Sequence, residues 1–343
     1  MTDKPSLQTV AETAGVSIAT VSQVMRGAGR ISQATRRKVL DAVRKVAYVP
    51  DARAAAMRSG KNFEIGLLIH KIANPFNAEV ISGVSDMMET QGYLVSILDS
   101  RDEPDREFRH IEALIRNMRG GILWVPTTDV QDETYKLIHT HRIPVVTFLR
   151  RSRDPMIDHV AIENMRATED ATNHLADLGH RHIAYVGGRQ QVDSRLERID
   201  GYKRVMEQRK LAAPIVIPCE DTKAAGFEIV QKLRQENPEV TGIVCNGDMV
   251  ALGALTGLQR IGLEPGRDMS VIGFDDIPDA AITTPPLTTM AVQPYELGRK
   301  LARAMLDRIN TPDLPATSML IRAVLVERAT TGRQSAQRPK MKN

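Results

Sequence analysis

At 343 residues, with 42% hydrophobic and 26% charged side chains, the chain can bury a sizeable core and divide into two or three domains. No apolar run approaches the ~18 residues that a bilayer span needs. Residues 1–10 lack the regions of an export signal, so a cytoplasmic product without a membrane partner is expected.

The net charge of +4 hides an asymmetry. Residues 1–61 carry 11 Lys/Arg against 4 Asp/Glu, whereas residues 62–330 carry 31 against 38. A basic head on an acidic body is the distribution of a polyanion-binding module joined to something else. Cys219 and Cys245 have no metal-ligand spacing and need not form a disulfide, and Cys245 is expected to pack within an apolar run.

In chain order, residues 1–47 read as three helices. Leu7, Val10, Ala11 and Ala14 share one face of the first, which Gly15 ends by supplying left-handed geometry. Ser17 caps a second helix, where Ile18, Val21, Val24 and Met25 recur at helical spacing. Ser32 caps a third, whose Ala34, Val39, Ala42, Val43 and Val46 are placed to cover the other two. A connector follows at 48–62, with one short helix between Pro50 and Gly60 that is marginal alone. From Glu64 the pattern becomes strands (64–70, 93–98, 121–125, 144–148, 182–186, 242–246, 270–274) alternating with helices (77–91, 105–118, 164–178, 197–209, 222–236, 248–261). That alternation predicts parallel sheets covered on both faces, divided into two sub-domains, with a ligand site outside the strand carboxyl ends.

Two helices joined by a short glycine turn and covered by a third can place one helix in a DNA major groove. Ser17, Thr20 and Ser22 are suited to phosphates, and Ile18, Ala19 and Gln23 to base edges. Spacing alone leaves an ordinary helical hairpin equally open.

The residues themselves go further. LQTVAETAGVSIATVSQVMRG, followed by ISQATRRKVLDAVRKVAYVPDARA, closely resembles the head of the lactose-repressor/galactose-repressor family of bacterial transcription regulators. NPFNAEVISGV, LGHRHIAYVGG, GDMVALGAL, VIGFDD and PPLTTMAVQP extend the resemblance over residues 5–330. It implies a helix-turn-helix domain at 1–49, a hinge at 50–62, an effector-binding and dimerisation domain at 63–330 and a disordered basic tail at 331–343. The body would be two Rossmann-like sub-domains, as in periplasmic sugar-binding proteins, with chain crossings near 160, 290 and 320.

The resemblance also implies base contacts from Ile18, Ala19 and Gln23, and backbone contacts from Ser17, Thr20, Ser22, Arg30, Ser32, Thr35 and Tyr48. Many members have Arg at the position of Gln23; Gln suits adenine, so an altered half-site is expected there. In the hinge, Met57 takes the place of a leucine wedge in the minor groove, with Arg58 beside it. The cleft set is Asn74, Phe76, Asn77, Ser194, Arg198, Asp248 and Asp275, a composition suited to a sugar or sugar acid, phosphorylated or not. Asn77 stands where members often have an aromatic residue. VVTFLRRS lacks a frequent acidic residue and carries Phe148, Arg150 and Arg151; inward arginines would favour an acidic effector.

The expected partners are therefore double-stranded operator DNA, a small-molecule effector and a second copy of the chain, with no cofactor and no metal. The end TTGRQSAQRPKMKN has no leucine heptads, which favours a dimer over a tetramer. The competing classes are an enzyme and a cytoplasmic sugar-binding protein. Against the enzyme, no G-x-G-x-x-G follows a strand, GAGRIS at 27–32 follows a helix, and His180 and His182 form no ligand set. The sugar-binding protein leaves residues 1–61 without a purpose.

Overall fold

The computed structural model describes residues 4–50, 62–188 and 192–334. Contacts divide the chain into two compact units, Met1–Asn62 and Phe63–Asn343. Met57, Arg58 and the tail beyond Gln334 lie outside the described residues.

The first unit is built from three helices: α1 (Leu7–Ala14), α2 (Ile18–Met25) and α3 (Gln33–Lys45). Each begins at a serine followed three residues later by threonine. Ser6, Ser17 and Ser32 accept the backbone N–H of Thr9, Thr20 and Thr35 at 3.1–3.2 Å. These caps satisfy donors that a helix leaves open at its start. Gly15, at φ +66°, turns the chain between α1 and α2. Val10, Ala11, Val21, Val24, Val39 and Ala42 form the core. One expected core residue is not part of it: Ala34 is exposed at the start of α3.

The second unit contains two six-stranded sheets. Its strands are β1 (Glu64–Ile69), β2 (Leu94–Asp99), β3 (Ile122–Trp124), β4 (Val145–Phe148), β5 (Asp158–Ile162), β6 (Ile183–Val186), β7 (Ile215–Ile217), β8 (Gly242–Cys245), β9 (Ser270–Asp275), β10 (Thr288–Ala291), β11 (Ser318–Ile321) and β12 (Val324–Val326). The first sheet runs β11-β5-β4-β3-β1-β2, wholly parallel; the second runs β12-β10-β9-β8-β6-β7, with only β12 antiparallel. The chain passes to the second sheet after β5, returns after β10 and passes again between β11 and β12.

Helices α4 (Pro75–Glu89), α5 (Pro104–Arg116), α6 (Asp132–His141), α7 (Asn164–Asp177), α8 (Asp193–Gln208), α9 (Lys223–Glu236), α10 (Asp248–Arg260), α11 (Pro278–Ile282) and α12 (Pro294–Asn310) connect the strands. Five strands and the helices α6, α11 and α12 were absent from the sequence-based reading. The missed strands are three to five residues long, and β5 opens on Asp158 and His159, so their apolar runs fall below a recognisable length. The pattern of α12 was legible, because Leu297, Leu301, Ala302, Met305 and Leu306 are buried at helical spacing. It follows a missed strand, and the alternation rule failed with it.

Cys245 is buried as expected. His180 is buried too, bonded to Thr241 Oγ1 and the Gly332 carbonyl, which makes it part of the core.

Two of the helices that cover the first sheet touch backbone to backbone. A Cβ on Gly83 of α4 would lie 2.0 Å from the Tyr295 carbonyl oxygen of α12, and one on Gly298 would lie 2.2 Å from that of Val80. No rotamer relieves a clash with backbone. Gly83→Ala therefore destabilises the body by about 1–3 kcal/mol through overpacking, despite a helix-propensity gain of about 1 kcal/mol. Urea unfolding of the two proteins measures this difference.

Candidate functional site

Two regions collect the residues singled out in the sequence. On the first unit, α2 exposes Ser17, Ile18, Ala19 and Gln23, with Thr20 and Ser22 half-buried beside them. Arg30 and Ser32 are exposed, and Thr35 is half-buried. Gln23 packs against the following loop, its Oε1 3.2 Å from where a Cβ on Gly29 would sit.

The short hydroxyl residues do double duty. Ser17 Oγ and Thr20 Oγ1 are 2.9 Å apart, as are Ser32 Oγ and Thr35 Oγ1. Each pair spends one hydroxyl hydrogen internally and keeps the other for an outside acceptor. Tyr48 is half-buried and packs against the three-helix core, so its ring anchors the end of α3 while part of it remains accessible.

In the second unit, a cavity of about 460 Å³ opens between the carboxyl ends of the two sheets. Asn74, Phe76, Asn77, Ser194, Arg198 and Asp275 line it. Asn74 caps α4, its Oδ1 accepting from the Phe76 N–H at 3.1 Å. Arg198 lies over the Phe274 ring, 3.5 Å from its centroid, and Nε donates to Asn164 Oδ1 at 2.9 Å. One Nη donates to the Asn246 carbonyl. A guanidinium held on three sides has a fixed orientation, and among the described residues nothing takes its second Nη.

Asp248 is a correction. It is fully buried and absent from the lining, with Oδ2 accepting the Ile277 N–H at 2.9 Å and Oδ1 the Thr289 hydroxyl at 2.6 Å. These bonds hold the turn after β9, where Asp275 and Asp276 have φ of +119° and +58°. Asp248 therefore positions Asp275 from behind. It does not cap α10 either, since Gly247 occupies that place.

Several lining residues had escaped the sequence reading. Asp221 accepts from Asn246 Nδ2 at 2.9 Å, and Asn246 Oδ1 accepts from the Tyr185 hydroxyl at 2.7 Å. Lys71 Nζ reaches from the first sub-domain to the Asp221 carbonyl at 3.3 Å. Burial raises the Asp221 and Asp275 carboxyls above the usual range, while the nearby Arg198 guanidinium acts against it. A usable signal existed: His70, Asp99 and Asn246 stand at or just after strand carboxyl ends.

The arginines of VVTFLRRS divide. Arg151 is exposed, whereas Arg150 is buried, lines the cavity and grips Asp102 through both Nη atoms, at 2.5 and 3.1 Å. It also donates to the Pro126 carbonyl at 3.2 Å. The neighbouring Thr127 is pinned by buried Glu107, which accepts its N–H and hydroxyl as well as the Trp124 indole N–H. Phe148 points into the core and is absent from the lining.

Among the described residues no group of His, Cys, Asp and Glu is arranged to hold a metal, and no helix is long and apolar enough to cross a membrane.

Comparison with known proteins places this geometry. A family model described as bacterial regulatory proteins, lacI family, matches residues 6–51, and a periplasmic binding protein-like domain matches residues 172–331. The ribose operon repressor of Halalkalibacterium halodurans is 30% identical over 326 residues, 95% of this chain and 97% of that protein. Among solved structures, the lac repressor dimer bound to operator and the anti-inducer ONPF has a TM-score of 0.85 at 24% identity, covering 96% of this chain and 100% of that one. A LacI family regulator from Enterococcus faecium with bound ribose has a TM-score of 0.73 at 25% identity, covering 79% and 100%.

Burial drives the Asp248 carboxyl up to about 7, against the opposing pull of Thr289 and the Ile277 N–H. An acid whose pKa is raised by folding contributes stability below its unfolded value and loses it as pH climbs through the folded one. The gap in thermal midpoint between wild type and Asp248→Asn should therefore move against the wild type between pH 5 and pH 8, as read by paired melts across that range.

Proposed function

From the premise that this chain belongs to the LacI family of bacterial regulatory proteins, we propose that it is a cytoplasmic repressor that binds a near-palindromic operator as a dimer under the control of a small polyhydroxylated effector. The observation that carries the reading is one chain holding both an exposed, serine-capped helix in a basic unit and a polar cleft between two parallel-sheet sub-domains.

In this reading α2 enters the major groove. Gln23 reads a base edge, Ile18 and Ala19 touch thymine methyls, and the hydroxyls of Ser17, Thr20, Ser22, Ser32 and Thr35 meet phosphates together with Arg30 and Tyr48. The effector lies in the cleft, with Arg198 and Asp275 taking neighbouring hydroxyls. Its binding favours one closure of the two sub-domains, and residues 50–62 carry that choice to the DNA-binding unit. The coupling is reciprocal, so operator and effector alter each other's affinity by the same factor.

Selection of sites from random DNA by the purified protein should yield a two-fold symmetric sequence, with adenine favoured opposite Gln23. Gln23→Arg should move that position towards guanine, since Arg reads its O6 and N7. Uniform weak binding to every duplex would overturn the reading. Arg198→Ala should keep operator affinity within about two-fold in the absence of effector and abolish effector-dependent change, because the loss falls on one of the two coupled sites. Fluorescence anisotropy of labelled operator measures both.

A further inference from the structure

Three buried arginines line the cavity, and their charges are answered differently. Arg150 grips the Asp102 carboxylate, and Arg198 is held by Asn164, the Asn246 carbonyl and the Phe274 ring. Arg195 is only 5% exposed, and its Nε donates to the Gly187 carbonyl at 2.8 Å. Among the described residues, neither of its Nη atoms has a hydrogen-bond partner and no carboxylate pairs with it. Nor do those atoms belong to the fully enclosed polar atoms that lack a partner, so they open on the cavity that the residue lines.

The backbone is shaped to hold this side chain. A Cβ on Gly188, at φ +79°, would sit 2.4 Å from Arg195 Cδ, so only glycine leaves room for the stem. Arg195 belongs to the first turn of α8, whose N-cap Val192 supplies no side-chain acceptor, and Val192 and Ser194 line the cavity beside it.

A guanidinium keeps its charge in any protein, so its burial has to be compensated by acceptors or an anion. The protein gives Arg195 one carbonyl and leaves the two outer nitrogens to whatever fills the cavity. Their spacing matches two oxygens of a carboxylate or phosphate. The start of α8 adds partial positive charge on the same side. Burial also raises the Asp221 and Asp275 carboxyls of the lining above their usual range, which lessens the negative charge that an incoming anion meets.

We propose that Arg195 is the specificity residue of an anion-reading subsite, which takes the carboxylate or phosphate of an acidic polyhydroxylated effector. The proposal rests on reading the cleft as the effector site. Hydroxyls and acid group of one ligand are then read by different residues, the acid at the start of α8.

The test uses the full chain. Chloride is exchanged for inorganic phosphate at constant ionic strength, and three matched pairs follow: glucose with gluconate, glucose with glucose 6-phosphate, and ribose with ribose 5-phosphate. Thermal midpoints are read for the wild type, Arg195→Met and Arg195→Lys. Phosphate also gathers at the basic residues 1–61, equally in all three proteins, so the difference between them is the measure. Phosphate should raise the wild type more than Arg195→Met, and an acidic member of a pair should raise the wild type more than its neutral partner. The gluconate and sugar-phosphate arms tell which anion is read. Arg195→Met should weaken the acid by about 10- to 100-fold, the range for a lost hydrogen bond to a charged group. Arg195→Lys keeps the charge without the fork and should fall between the two; if Arg195→Met does not fold, the wild type is compared with Arg195→Lys in the same way.

Equal phosphate responses in wild type and variant, or acids that act no more strongly than their neutral partners, would each overturn the subsite. Operator binding, measured on the same preparations, separates this from a failure of the regulator reading, which would show as loss of sequence-selective DNA binding by the wild type.

Discussion

A guanidinium cannot be taken out of water alone, and Arg198 shows what its burial demands. It is 9% exposed, stacked on Phe274 and bonded to Asn164 and to the carbonyl of Asn246. Those partners sit at the start of α7, on β9 and just after β8. One side chain thus ties together the first chain crossing and two central strand ends, and a charge left uncompensated there would cost several kcal/mol. The carboxyls of Asp221 and Asp275 gather around it, each pushed up by burial and pulled down by the same guanidinium. Arg198 thus brings a helix start, a strand end and a strand-end loop to one point of the cleft.

The same economy of parts appears in the head. Six buried residues make a core too small to tolerate frayed helices, so each helix is closed at its start by a serine-threonine pair. The caps that stabilise α2 and α3 are also the hydroxyls offered to DNA in the proposed reading. Stability and recognition are therefore not separable at Ser17 and Ser32.

Much of this was legible in the residues, for physical reasons. The caps follow from serine before an apolar helical pattern, and seven strands from largely apolar runs five to seven residues long. What escaped was short or cooperative. Strands β7 and β12 are three residues each and exist because a neighbouring strand offers them hydrogen bonds, a tertiary effect. Asp248 entered the cleft set through the family resemblance, but which way a carboxylate turns depends on the Ile277 N–H and the Thr289 hydroxyl, 29 and 41 residues away. Arg150 could be placed inward or outward by sequence alone; its partner Asp102, 48 residues distant, decides its direction. Site chemistry is set by long-range pairings, and a single sequence records the partners without the pairing.

The bond from Lys71 to the Asp221 carbonyl joins the two sub-domains through a main-chain oxygen. Mutation at position 221 alters a carboxylate that lines the cleft yet leaves that carbonyl in place, whereas mutation at Lys71 removes the bridge and spares the carboxylate. The chemistry of the cleft wall and the bond that spans it are thus assigned to different codons, free to drift independently.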